Sequence, residues 1–123
     1  MARHFDIDDE DIGMRTFQIR KQRQVERAIE KMRFNMGKDW EKLTAEEEEI
    51  LEWALGETWA MMGFSDWEHI GFSFMTYPDV QEIILLAREV IEHKTPGTRA
   101  IEQIHQILNR LSVERRAEEE ADR

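Results

Sequence analysis

The chain contains no cysteine. That removes disulfides, thiolate nucleophiles and every zinc or iron–sulfur site built on cysteine. Proline occurs twice and glycine six times in 123 residues. The glycines are scattered, so no glycine-rich phosphate loop can be drawn. Serine is confined to Ser65, Ser73 and Ser112. Ser65 stands near Asp66 and His69, but helix capping accounts for it and nothing supplies an oxyanion hole. The longest strongly apolar run, Ile83 to Ala87, falls far below the roughly 20 residues that cross a bilayer. The opening stretch, MARHFDIDDEDIG, lacks the apolar segment of a secretory signal, which makes the cytoplasm, of a cell or of an infected host, the expected compartment. No membrane partner is expected.

Charge, by contrast, is abundant. Charged residues make up 36% of the chain and apolar ones 41%, with a net charge of −10. This balance fits an all-α fold with long solvated faces better than a sheet. The length fits one domain, which buries roughly two-thirds of its unfolded surface. The charge is also segregated. Residues 15–33 carry Arg15, Arg20, Lys21, Arg23, Arg27, Lys31 and Arg33 against Glu26 and Glu30. This local excess of five positive charges leaves the rest of the chain at −15. Such separation marks a face made to meet opposite charge, on this molecule or on another.

Periodicity predicts a small bundle of four main helices plus one short helix or connector. Residues 1–12 read as an acidic, flexible arm, 13–113 as a single helical domain and 114–123 as a charged tail. Met14, Phe17, Val25, Ala28, Ile29, Met32 and Met36 form one stripe over a helix from Met14 to Met36, with Gly37 as a left-handed cap. Thr44 and Glu47 form a capping box that opens the second helix, whose core set is Ile50, Leu51, Ala54, Leu55, Met61 and Met62. Gly63 is its expected stop, and Ser65 with Glu68 suggests a further capped turn. Residues 71–77 read as a connector or a brief strand. Pro78 suits the start of a third helix, with Val80, Ile83, Ile84, Ala87, Val90 and Ile91 on one side. Leu85 and Leu86 add a second side and predict a centrally buried element. After the break at 95–98, Ile101, Ile104, Ile107, Leu108 and Leu111 form a fourth stripe.

Two constellations could carry binding. Trp53, Trp59, Phe64, Trp67, Phe72, Phe74 and Tyr77 place 7 of the 11 aromatics within 25 residues. Aromatics dominate interfaces, and they equally fill the splayed end of a bundle, which is the first reading for this cluster. The basic helix can pair with the acidic segment 41–57 of the same chain, dock an acidic partner or a second copy, or contact phosphate. The acidic net charge and the interruptions at Glu26 and Glu30 count against phosphate. A dense acidic face over 38–69, with ten acids against two lysines, could imitate nucleic acid, although a soluble face with a favourable helix start explains it more simply.

Catalysis and metal binding find less support. Glu102 and His105 repeat the Glu-x-x-His spacing of di-metal bundles, and Asp66 with His69 is a looser copy. Glu102 lies beside the apolar stripe rather than within it, so neither catalytic residues nor cofactors are assigned. The expectation is a non-enzymatic, small acidic helical protein acting by protein–protein binding or self-association: an adaptor, inhibitor or assembly subunit. Size and composition alone suggest a phage or mobile-element product. The alternatives are a nucleic-acid-contacting regulator using 15–33, an acidic DNA mimic and, last, a metal-binding bundle. The candidate partner-binding residues are Arg20, Arg23, Arg27, Lys31, Trp67, Phe72, Phe74 and Tyr77.

Overall fold

The computed structural model describes residues 3–62, 67–112 and 121, with side chains from residue 13 onward. The fold is all-α. Helix α1 spans Arg3–Met36, α2 Ala45–Met62, α3 Tyr77–Ile91 and α4 Gly97–Asn109. Short 3-10 turns lie at Gly37–Lys42 and Phe72–Phe74. Among the described residues there is no strand, only one antiparallel bridge between Ile70 and Ser112. The brief strand allowed for 71–77 is therefore replaced by a 3-10 turn. The capped turn expected at Ser65 and the stop at Gly63 fall outside the described residues, as does the tail apart from residue 121.

Helix α1 begins eleven residues before Met14, so the backbone of 3–12, expected as a flexible arm, is helical. Its 34 residues extend about 51 Å at 1.5 Å per residue. Among the described side chains of α1, Val25 is the first that is buried, followed by Ala28, Ile29 and Met32. Gly37 then takes a left-handed conformation, φ +54°, which turns the chain into the 3-10 segment at little cost for a residue without Cβ.

Thr44 caps α2 as its spacing requires. The Thr44 N–H donates to Glu47 Oε1 at 3.0 Å and the Glu47 N–H donates to Thr44 Oγ1 at 3.1 Å. The Thr44 N–H holds the Glu47 carboxyl below its usual pKa. A second box, not anticipated, opens α3: Thr76 Oγ1 accepts from the Asp79 N–H, and Asp79 accepts in return from the Thr76 N–H. Thr-x-x-Asp was the available signal.

Leu51, Leu55, Met75, Ile83, Ile104 and Leu108 sit fully buried at the centre. Helix α3 buries Val80, Ile83, Ile84 and Ala87, while Leu85 and Ile91 are exposed and Leu86 is partly covered. The two-sided burial expected for α3 is thus wrong; one face packs on α2 and α4. Gly71 ties the connector to the turn that follows α4. Its N–H donates to the Leu111 carbonyl at 2.7 Å, and a Cβ there would stand 2.8 Å from that oxygen and 2.5 Å from the Phe74 ring. Only glycine permits this approach.

Candidate functional surface

Helices α1 and α2 pack antiparallel. Phe17 meets Trp59 with ring centroids 5.2 Å apart, and the Lys21 stem passes over Gly56, 3.5 Å from where a Cβ would stand. These contacts use the inward side of α1, whose buried stripe includes Val25, Ala28 and Met32. The 100° step per residue then places Arg20, Arg23, Arg27 and Lys31 on the opposite side. All four are exposed. Pairing of this ridge with the chain's own acidic helix, weighed as one reading, is not found. Among the described residues the ion pairs are Lys42–Asp39, Lys94–Glu92 and Arg110–Glu82, and none joins α1 to α2.

Sequence reasoning missed one member of this ridge. Phe34 follows Lys31 by three residues on the same side and is 92% exposed. The spacing 20, 23, 27, 31, 34 was the signal that could have found it. An exposed aromatic at the end of a row of cations joins apolar area to charge, the composition of an interface anchor.

The aromatic half of the candidate set divides. Trp67 is 4% exposed and Phe72 3% exposed, with ring centroids 4.9 Å apart. Both belong to the core, so their assignment as partner-binding residues is corrected; they position the connector and present no face. Phe74 is 37% exposed against Gly71. Tyr77 is half-buried and engaged within the molecule, beneath the Lys42 ammonium 5.3 Å from its ring centroid. That ammonium is held by Asp39 at 2.9 Å, whose hydrogen bond raises its pKa. The core reading of the cluster thus holds for Trp59, Trp67 and Phe72, Trp53 is the exception on α2, and Phe64 lies outside the described residues.

Beside the ridge, a groove of about 430 Å³ runs between α1 and α2, lined by Gln22, Glu26, Glu49, Glu52, Trp53 and Glu57 among others. A second cleft of about 590 Å³ lies between α3 and α4 and is crossed by the 3.6 Å Arg110–Glu82 pair. Among the described residues no three acidic or histidine side chains converge as metal ligands. Nor is any described helix long and apolar enough to cross a membrane.

The structure therefore keeps the four cations together on an exposed side of α1, adds Phe34 to them, and buries Trp67 and Phe72 in the core, where the Phe72–Phe74 turn packs against α1. No family model, curated protein or solved structure matches this chain.

Proposed function

We propose that this protein is a non-enzymatic binding protein of the cytoplasm, an adaptor, inhibitor or assembly subunit, whose docking face is the outer ridge of α1. One observation carries the reading. Four exposed cations and an almost fully exposed phenylalanine share one side of a helix, with no acidic partner for them among the described ion pairs. Solvating a scattered set of charges needs no such alignment. An acidic helical protein surface supplies what the ridge lacks: carboxylates at helical spacing and an apolar pocket for the ring.

The variant R20Q/R23Q/R27Q/K31Q tests this by neutralising the ridge without reversing it. Crosslinked capture from the source lysate should lose proteins that wild type retains, and identical captures from the two proteins would contradict the proposal. Nucleic acid is the second reading, favoured only by the row of cations itself. Retention of duplex or single-stranded DNA at low salt, lost with the four-fold variant, would move the assignment there.

A further inference from the structure

We infer that the acidic surface recognised by the α1 ridge is the outer ridge of α2 on a second copy of this chain. This rests on the binding role proposed for α1 and names its partner.

Helix α2 carries six glutamates and no lysine or arginine. Its exposed outer side runs Glu46, Glu49, Trp53, Glu57, Ala60. These follow one another in steps of three, four, four and three residues. Arg20, Arg23, Arg27, Lys31 and Phe34 follow the same steps on α1. Each ridge rises about 21 Å from first residue to last. Laid parallel, the two sets match at every rung. Arg20 meets Glu46, Arg23 meets Glu49 and Lys31 meets Glu57, each as opposite charges. Arg27 lies over Trp53, 38% exposed, as a cation on an aromatic face. Phe34 falls on Ala60, where a small side chain leaves room for the ring. Laid antiparallel, Phe34 would face Glu46 and Arg20 would face Ala60, so two rungs lose their match.

Both ridges are exposed in the same molecule: the α1–α2 contact within one chain runs through Phe17 on Trp59 and Lys21 over Gly56, and Glu49, Trp53 and Glu57 border the open groove beside it. A single chain cannot satisfy its own ladder, since its α1 and α2 run antiparallel and already pack through those residues. The contact is heterologous: each added copy leaves one basic and one acidic ridge open. Assembly then continues with concentration or closes into a ring. The net charge of −10 opposes gathering of copies at low salt over long range, while the rungs themselves are short-range and charge-matched.

Sedimentation velocity of the intact chain over rising concentration reads this directly, with thermal melts confirming that each variant folds. Wild type should shift to larger species with concentration. R23E alone puts two carboxylates face to face at the rung held by Glu49, and E49K alone puts two cations face to face at the rung held by Arg23. Each should weaken association about tenfold. R23E/E49K in one chain restores the rung with its polarity exchanged, so association should return. Concentration-independent monomer for wild type overturns the self-pairing, as does a silent E49K. Rescue of R23E by E57K in place of E49K overturns the parallel ladder. A monomeric chain whose ridge neutralisation still removes a captured foreign protein sinks this inference and leaves the binding role standing; a monomer that captures nothing sinks both.

Discussion

The outer ridge of α1 and the aromatic connector are built from the two residue classes that most often make interfaces, yet one stands in solvent and the other lies largely in the core. Arg20, Arg23, Arg27 and Lys31 lie opposite a buried stripe, and all four are exposed. Trp67 and Phe72 lean on each other inside the bundle. Residue type does not separate them. What separates them is position relative to the apolar period: the cations stand about half a turn from the stripe, whereas the aromatics lie where the chain must fold back between α2 and α3. The ridge is therefore solvent-exposed, whereas Trp67 and Phe72 contribute to the core.

Substitutions should pull these regions further apart. The largest effect is expected at the connector. Trp67→Ala should cost about 3–5 kcal/mol in denaturant unfolding, because it empties a buried ring site that Phe72 cannot refill. A cost near zero would mean that the ring is a surface group after all. Gly71→Ala should cost about 2 kcal/mol or more, since the new methyl meets the Leu111 carbonyl and the Phe74 ring. A smaller effect, about 1 kcal/mol, is expected for Thr44→Ala through loss of the α2 cap.

The same cap makes a pH prediction. The folded pKa of Glu47 lies below its unfolded value, chiefly because of the Thr44 N–H. Its contribution is present above the unfolded pKa of about 4.3 and is lost as pH falls through the lowered folded value. Glu47→Gln should therefore destabilise at neutral pH and converge with wild type in acid. A gap that widened in acid would contradict the sign.

The smallest stability effect belongs to the ridge. R20Q/R23Q/R27Q/K31Q should melt within a few degrees of wild type, because exposed charges away from caps and partners carry little folding energy. A melting temperature lowered by about ten degrees or more would make the ridge structural.

The helices were legible in sequence because apolar periodicity and caps act locally. Val25, Ala28 and Met32, Ile83 and Ile84, and Ile104 and Leu108 all lie on the expected faces, and Thr44 and Gly37 do what their chemistry dictates. What was not legible depends on neighbours. Leu85 fits a second core face by sequence, but among the described residues α3 packs through one face and Leu85 is exposed. Trp67 and Phe34 are both large aromatics, and composition cannot say that one plugs the bundle while the other stands in water. Periodicity could have placed Phe34, since it continues the rhythm of Arg27 and Lys31; no local signal could have buried Trp67.

The central claim is that the α1 ridge is covered when the protein is at work. Labelling with arginine- and lysine-selective reagents, read by mass spectrometry, tests it in source cells against the dilute purified chain. Arg20, Arg23, Arg27 and Lys31 should be protected in cells, while exposed Lys94 and Arg99 should react equally in both settings. Equal labelling of the ridge in the two settings would contradict the account.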